Sequence, residues 1–274
     1  MYPLERIHPK KRIVRKEVVM IFETHAHYDD EAFDKDRNEL IESLKTAGIG
    51  YVVNIGASLE SSRASLRLAE KHPFFYAAVG VHPSETGELT EENFGWLREA
   101  CKNRKVVAIG EIGLDYYWDT PERNIQKEWF VRQMELAKEV GLPAVIHSRD
   151  AAEDTLKMIQ GSNLKSVGGI IHCFSYTKEM AREYIDMGFF LGIGGVITFK
   201  NAKKLKEVVE YAPIESIVLE TDSPYLAPEP NRGQRNSSLN LIYVAQKIAE
   251  IKGLDYETVL AVTEQNARKV YHIR

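Results

Sequence analysis

The stretch IFETHAHYDD, residues 21–30, joins the end of an apolar run to two histidines and two acids. His25 and His27 stand one residue apart, and side chains two positions apart on a strand point to the same side. This spacing suits two ligands of one metal ion, but it also suits two half-exposed histidines in a polar loop. Asp29 and Asp30 more naturally begin the next loop and helix than join the pair. Because short motifs also match by chance, the meaning of the stretch depends on the residues at the ends of the other apolar runs.

The chain contains eight such runs, near-continuous and rich in Val and Ile. Runs of this kind are typical of parallel strands that are covered on both faces. They span residues 18–22, 50–55, 74–79, 106–109, 143–146, 168–171, 189–193 and 216–219.

Amphipathic segments typical of helices lie between the runs. Residues 38–47, 122–140 and 177–187 each carry apolar side chains on one face and stop at a glycine, and Thr90 can cap a further helix. Eight alternating units predict an α/β fold, a (β/α)8 TIM barrel with its active site at the carboxyl ends of the strands. A doubly wound open sheet is the alternative. The long polar loop 224–240 suits the substrate side of a barrel.

Composition narrows the class of protein. The 274 residues contain 44% hydrophobic and 28% charged residues and carry a net charge of −4, so any polyanion must be held by a local cationic cluster. Two isolated cysteines favour a reducing compartment, the cytoplasm, and no run reaches the 18 or so apolar residues of a membrane span. No Pro/Gly-rich linker divides the chain. We therefore expect one monomeric barrel domain at residues 20–274 after a basic extension at 1–19, which is either an upstream-start artefact or an arm that contacts nucleic acid.

Polar residues follow the apolar runs, always at the carboxyl end. In a barrel these ends share one face. Placing two carboxylates and four imidazoles side by side is costly without cations, and the set is too large for one tetrahedral zinc ion. It suits two divalent ions with room for water. The six residues are His25, His27, Glu111, His147, His172 and Asp222.

The chain resembles the TatD family of metal-dependent deoxyribonucleases over roughly residues 20–272. The motifs THAH, GVHP, GEIGLDYY, IHSRDA, HCFS and LETDSPYLAP stand in the family's order. The resemblance implies a barrel related to the amidohydrolases, phosphodiester hydrolysis in DNA, Mg²⁺ as cofactor, and the same six residues as metal ligands. The chain departs from the pattern at Glu23-Thr24, where Asp-Ser is usual, and in NRGQRNSS, which lacks a proline after Arg-Asn. Glu111 stands where the amidohydrolases often have a modified lysine.

These residues suggest a two-metal mechanism. We expect His25, His27 and Asp222 to hold one ion and His147 and His172 the other, with Glu111 bridging. A metal-activated water would attack phosphorus and Asp222 would accept its proton, so that Asp222 and Glu111 are the catalytic residues. Imidazole-rich ligation also allows Zn²⁺, Mn²⁺ or iron.

Further residues near the motifs are candidates for substrate binding. Arginines and polar groups would contact phosphate, and aromatic rings would stack on the bases of a single strand. The predicted set is His82, Arg149, Phe174, Tyr225, Arg232, Arg235 and Asn236, and Tyr116 and Tyr176 are further candidates for stacking.

Three functions stay open from the sequence. The first is a nuclease on DNA, a 3′–5′ exonuclease acting on single strands. The second keeps the metals but hydrolyses a small ester, an amide or an aminoacyl-tRNA ester, because a fold does not determine function. The third is a non-catalytic protein that binds metal or nucleic acid.

Overall fold

The computed structural model describes residues 20–118 and 120–274. The predicted basic extension at 1–19, with the start of the first apolar run, lies outside these residues. Eight parallel strands alternate with helices and pair in chain order, which confirms the predicted (β/α)8 barrel. The strands are β1 (Ile21–Ala26), β2 (Ile49–Ile55), β3 (Phe75–Val79), β4 (Val106–Asp115), β5 (Ala144–Arg149), β6 (Gly169–Ile171), β7 (Phe190–Ile193) and β8 (Ile217–Leu219).

Nine α-helices occur within the described ranges, one more than an eightfold repeat requires. Thr90 caps α3 in a reciprocal capping box with Asn93, and Gly141 ends α4 in the left-handed conformation, as their sequence signals predict. The helices are α1 (Arg37–Thr46), α2 (Leu59–Lys71), α3 (Glu91–Ala100), α4 (Arg123–Val140), α5 (Ala152–Ser162), α6 (Lys178–Asp186), α7 (Lys203–Tyr211), α8 (Leu241–Lys252) and α9 (Tyr256–Val270).

The barrel closes between β8 and β1, which distinguishes it from an open sheet. The chain beyond β8 pairs with β1 through a parallel bridge between Ala26 and Ser223. Backbone hydrogen bonds run from Asp222 N to the His25 carbonyl (2.9 Å) and from His27 N to the Ser223 carbonyl (2.8 Å). The closure therefore brings His25 and His27 beside Asp222.

An apolar cluster fills the barrel below the predicted ligands. It takes at least one side chain from every strand, and Val270 and Tyr271 at the end of α9 pack onto it. Phe22, Val145 and Val218 belong to it and precede the ligands on their strands, so the cluster forms a floor under the polar residues. A second, larger core lies between the strands and the surrounding helices.

Strand β4 runs further than its sequence pattern indicates. The predicted strand ends at Ile109, whereas pairing with β5 continues to Asp115 after a register shift between Ile109 and Ile112. Glu111 therefore lies within the strand instead of after it. No helix in the described part of the chain is long and apolar enough to cross a membrane.

Candidate metal centre

The carboxyl ends of five strands bring the six predicted ligands together. His25 is in β1 and His27 follows it, Glu111 is in β4, His147 is in β5, His172 follows β6, and Asp222 lies three residues after β8. Their ionisable groups are largely withdrawn from water: Glu111 is 4% exposed and His172 is 5% exposed. Buried charges at this density require compensation.

Glu111 lies at the middle of the cluster. Its Oε1 is 2.8 Å from His147 Nδ1 and 3.8 Å from His172 Nε2. Its Oε2 is 3.5 Å from His25 Nε2 and 3.8 Å from His27 Nε2. One carboxylate oxygen thus faces each pair of histidines, the arrangement that a bridging carboxylate needs.

Asp222 faces the cluster from the closing segment of the barrel. Its Oδ1 is 3.4 Å from His27 Nε2, 3.6 Å from His172 Nε2 and 3.7 Å from His25 Nε2. The residue has a φ of 58°, in the left-handed region that Asp tolerates better than most residues. The carboxylate can therefore contact imidazoles of both predicted ligand groups.

The buried Glu23 joins the two segments that close the barrel. Its Oε1 accepts hydrogen bonds from the backbone N–H groups of His25 (3.1 Å) and Thr221 (2.9 Å), and its Oε2 accepts one from Thr221 Oγ1 (2.7 Å). Burial raises the pKa of Glu23 to about 8 despite these hydrogen bonds. Glu23, which replaces the family's usual aspartate, thus positions the backbone that carries His25 and Asp222.

In three of the histidines, the ring nitrogen that points away from the cluster has an oxygen partner. These partners are the Ile55 carbonyl 2.9 Å from His27 Nδ1, Asp115 Oδ2 3.1 Å from His147 Nε2, and Glu220 Oε2 3.1 Å from His172 Nδ1. Hydrogen bonds of this kind, as at His27 and His147, select the tautomer and orientation of a metal-binding imidazole and increase its basicity. The contact of His172 with Glu220 is an ion pair outside hydrogen-bond geometry. The opposite nitrogen of each ring is left to face the cluster.

The electrostatic balance of the cluster favours added positive charge. Burial opposes a charge on His27, but the hydrogen bond with Asp222 and the nearby carboxylate charges raise its pKa to about 9. Burial likewise opposes a charge on His172, whose pKa is raised to about 10 by the carboxylates of Glu220 and Glu111. Burial also works against ionisation of Glu111 and Asp222, yet the surrounding imidazoles hold both pKa values below their usual range.

These residues fit divalent cations. His25 Nε2 and His27 Nε2 lie 3.1 Å apart, and the His25 and His172 rings are stacked with their centroids at 3.4 Å. Ligand atoms of His25, His27 and Asp222 lie within 4.8 Å of one another, as do those of His82, Glu111 and His147. Crowded nitrogen and carboxylate donors of this kind are a characteristic ligand set for borderline divalent metals.

The cluster opens into two cavities that share a wall. The first, about 390 Å³, is lined by His27, Asp29, His82 and Tyr225 together with Glu111 and other predicted ligands. The second, about 720 Å³, extends from the same ligands towards Trp118, Arg149 and Leu226. The predicted catalytic groups are therefore accessible from solvent despite their burial.

Three predicted substrate-binding residues lie at these cavities. His82 Nδ1 accepts a hydrogen bond from the Ser84 backbone N–H (3.2 Å), so the neutral ring carries its proton on Nε2. Burial, followed by the charge of His147, lowers the pKa of His82 to about 3. Arg149 places its guanidinium 3.8 Å from the centre of the Tyr117 ring, and Tyr225 is 55% exposed at the mouth of both cavities.

The other four predicted substrate-binding residues contact groups of the protein itself. Phe174 is 2% exposed and packs against Tyr176 and Tyr184, so its buried ring cannot stack on a base. Arg232 lies over Phe199 with its Cζ 4.2 Å from the ring centre, and it lines neither cavity.

Arg235 and Asn236 have structural partners instead of the predicted phosphate. Arg235 donates two hydrogen bonds to the carboxylate of Asp36 (2.7 and 2.6 Å), which ties the long loop to the start of α1. Asn236 is fully buried, and its Nδ2 donates to the carbonyls of Thr221 (3.0 Å) and Tyr225 (2.8 Å). The polar groups of both side chains are thus bound within the protein, and their contact with phosphate stays a prediction.

Sequence reasoning missed Asp115 and Glu220 as partners of the predicted ligands His147 and His172. It also missed Trp118 as a side chain that lines the larger cavity. Asp115 and Glu220 stand in the motifs GEIGLDYY and LETDSPY, but an acid beside a buried strand has no pattern of its own that marks it as the partner of a ligand.

Asp29 accepts hydrogen bonds from Asn54 and Ser61, and Asp30 caps the following 3₁₀ helix, as expected of residues that begin a loop.

Comparison with known proteins agrees with this geometry. The family model described as TatD related DNase matches residues 22–272. The chain is 44% identical over 254 residues to YabD of Bacillus subtilis, named as an uncharacterized metal-dependent hydrolase, and the match covers 93% of this chain and 100% of that relative. It is 31% identical over 257 residues to a protein of Rahnella named as the 3′–5′ ssDNA/RNA exonuclease TatD, covering 92% and 98% of the two chains.

A solved structure supports the same relationship. YjjV, a TatD homologue from Escherichia coli, superposes with a TM-score of 0.88 at 28% identity, covering 94% of this chain and 100% of that one. The match to the family model spans most of the barrel, including all six predicted ligands. The chain therefore belongs to the TatD family and is a metal-dependent hydrolase.

Proposed function

We propose that this hydrolase removes nucleotides from the 3′ end of single-stranded DNA and uses two divalent ions. The observation that carries the proposal is the position of Glu111, with one carboxylate oxygen towards His147 and His172 and the other towards His25 and His27. Asp222 completes the first donor group. Two ions that share a bridging carboxylate can act on both sides of a phosphodiester.

Each residue has a separate role in the proposed reaction. His25, His27 and Asp222 would hold one ion and His147 and His172 the other, and Glu111 would be shared by the two groups. Bound divalent ions would lower the pKa of water and offset charge on the phosphate. Asp222 is ionised at neutral pH because the surrounding imidazoles hold its pKa below the usual range in spite of burial, so its carboxylate would be free to accept a proton from the attacking water. His82 donates its Nε2–H to a phosphate oxygen.

The charge at the larger cavity favours a substrate that carries phosphate groups. Arg149 lines the larger cavity, and none of the described residues forms an ion pair with it, so its charge is available to a phosphate. The description of the matching family supports DNA as the substrate. The name of the Rahnella relative supports a single-stranded substrate and degradation in the 3′-to-5′ direction. We propose Mg²⁺ as the working ion, with Mn²⁺ and Zn²⁺ as alternative occupants of the same donors, and the scarcity of cysteine favours action in the cytoplasm.

The second candidate, hydrolysis of a small ester, an amide or an aminoacyl-tRNA ester, uses the same donors. The apolar side chains Val196 and Leu226 at the larger cavity favour it. The non-catalytic hypothesis is dropped, because the chain is a hydrolase of the TatD family.

The test is a nuclease assay with 5′-labelled single- and double-stranded DNA in Mg²⁺, Mn²⁺, Zn²⁺ or chelator. We expect a ladder that shortens from the 3′ end of the single strand, is lost with chelator, and is reduced by at least about 100-fold in His147→Ala, which removes a predicted ligand. His272→Asn changes an exposed histidine at the other end of the barrel and serves as the matched control. Intact DNA together with chelator-sensitive cleavage of small carboxylic esters would contradict the nuclease and support the second candidate.

A further inference from the structure

An apolar rim lies beside the metal centre and has no role in the proposed chemistry. The rim consists of Tyr117, Trp118, Tyr225 and Leu226, which are 56%, 65%, 55% and 38% exposed. They account for four of the eight large apolar side chains that are exposed within the described ranges. Clustering of such side chains at the mouth of one site marks a binding surface more than scattered exposure does.

The rim is continuous with the reaction site. Trp118, Tyr225 and Leu226 line the cavity of about 720 Å³, and the same cavity is lined by His147 and Asp222. A group bound against the rim therefore stays within the cavity that contains the predicted ligands. The volume lies within the range of pockets that hold small organic ligands of drug size.

A cation lies on the Trp118 side of the rim, whereas the Tyr225 side contacts the carboxylate of Asp30. Arg149 stacks on the outer ring, with its Cζ 3.8 Å from the centre of Tyr117, and it lines the same cavity as Trp118. A cation that faces the cavity next to exposed aromatic rings matches a ligand with both a phosphate and a flat ring. Among polymers, single-stranded nucleic acid has this combination.

The backbone beneath the rim is held by the metal centre itself. Asp115 Oδ1 accepts hydrogen bonds from the backbone N–H groups of Tyr117 (2.9 Å) and Trp118 (3.3 Å), while its Oδ2 is 3.1 Å from His147 Nε2. On the other side, the hydroxyl of Tyr225 donates to Asp30 (2.9 Å). These contacts fix both walls before a ligand arrives, which lowers the entropic cost of binding.

We propose that the rim is a nucleobase subsite, in which one base near the scissile phosphate stacks on Trp118 and packs against Tyr225 and Leu226. The inference rests on the proposed function, because it assigns the base of the same nucleic-acid substrate. Trp118 is a specificity residue and not a catalytic one. The subsite favours single strands, because the base of a duplex is stacked and paired and has no free face.

The kinetic test combines a protein change with a substrate change. Trp118→Leu is expected to raise KM on single-stranded DNA by about 10- to 100-fold, and Trp118→Phe to recover most of the loss. Tyr211→Leu, an exposed aromatic on α7 that lines neither cavity, is the matched control. Abasic nucleotides are placed singly at the last three 3′ positions. At one of these positions, the abasic nucleotide should raise the KM of the wild type by about the factor that Trp118→Leu causes on intact DNA. On that abasic substrate, Trp118→Leu should raise KM by less than about a further twofold. Independent, multiplying effects, or an unchanged KM in Trp118→Leu, would overturn the subsite.

A binding measurement separates failure of the subsite from failure of the proposed function. Trp118 is the most exposed tryptophan of the chain, since Trp129 is 8% exposed and Trp96 lies under Arg63. Single-stranded DNA with Ca²⁺ in place of Mg²⁺ should quench the wild-type fluorescence, and Trp118→Phe should abolish most of the quenching. Quenching without hydrolysis in any of the metals would support the nucleobase subsite and contradict the proposed exonuclease function. Hydrolysis without quenching, together with an unchanged KM in Trp118→Leu, would contradict the nucleobase subsite and still support the proposed exonuclease function.

Discussion

Asp115 contacts the imidazole of His147 on the side opposite Glu111. Asp115 Oδ2 is 3.1 Å from His147 Nε2, and Glu111 Oε1 is 2.8 Å from His147 Nδ1. Because an ionised carboxylate can only accept, Asp115 keeps a proton on Nε2 and leaves the Nδ1 lone pair for a metal.

The first prediction tests this relationship with Asp115→Asn. An amide group turned towards Nε2 would donate to it, move the ring proton to Nδ1 and block the metal-binding lone pair. We expect metal affinity, measured by calorimetry, to fall about 10- to 100-fold. Asp186→Asn, an exposed acid near the end of α6, is the control and should bind as the wild type does. Wild-type affinity in Asp115→Asn would show that Asp115 does not select the tautomer.

Gly192→Ala tests the support of His172. A Cβ at Gly192 would lie 2.1 Å from Glu220 Oε2, and Glu220 cannot easily retreat because its Oε1 accepts a hydrogen bond from Cys173 N (2.7 Å). We expect destabilisation of about 1–3 kcal/mol in denaturant unfolding, together with weaker metal binding.

The matched control for Gly192→Ala is Gly95→Ala in α3, where an added Cβ meets no atom within 4 Å. This variant should be about 0.5–1 kcal/mol more stable than the wild type, because alanine is the better helix former. Equal stability of the two variants would mean that Glu220 can shift without cost.

Asn236→Ala should destabilise the protein although Asn236 makes no contact with substrate in the proposed reaction. It leaves the buried carbonyl of Thr221 and the partly buried carbonyl of Tyr225 without their amide donor. We expect a loss of about 2–4 kcal/mol and lower activity, because the same segment carries Asp222. The exposed Asn201→Ala should stay within about 0.5 kcal/mol of the wild type. A large rise in KM with unchanged stability would instead restore the predicted phosphate role.

The stability of the protein should depend on pH through His72, remote from the metal centre. Burial, followed by the charge of Lys71, lowers the pKa of His72 below its ordinary value of 6.5, and the ring packs 5.5 Å from Phe75. The unfolded chain therefore takes up this proton first, so the contribution to stability is complete above about pH 6.5 and is lost as pH falls below it.

The measurement for His72 is the melting temperature between pH 7.5 and 5. His72→Phe keeps the aromatic packing and should lose less stability on acidification than the wild type. The exposed His272→Asn is the control and should follow the wild type. Parallel pH profiles for His72→Phe and the wild type would contradict the assignment.

Local sequence patterns were enough to establish the barrel and the residues that its open end presents. Strand runs and glycine stops are local patterns, and parallel strands necessarily end on a common face, so His25, Glu111 and His172 could be grouped before any contact was known. The same patterns predicted too early an end for β4, because a register shift within a strand leaves no local signal in the sequence.

The three-dimensional fold alone determines which polar side chains face the cavity and which are used inside the protein. Arg235 and Asp36 are 199 positions apart, and Glu23 and Thr221 are 198 apart, yet each pair is joined by hydrogen bonds. Such partners are set by how the loops fold over the strand ends, and a side chain satisfied there is no longer available to a substrate. Strand periodicity is a short-range property of the chain, whereas the pairing of buried polar groups depends on the whole fold.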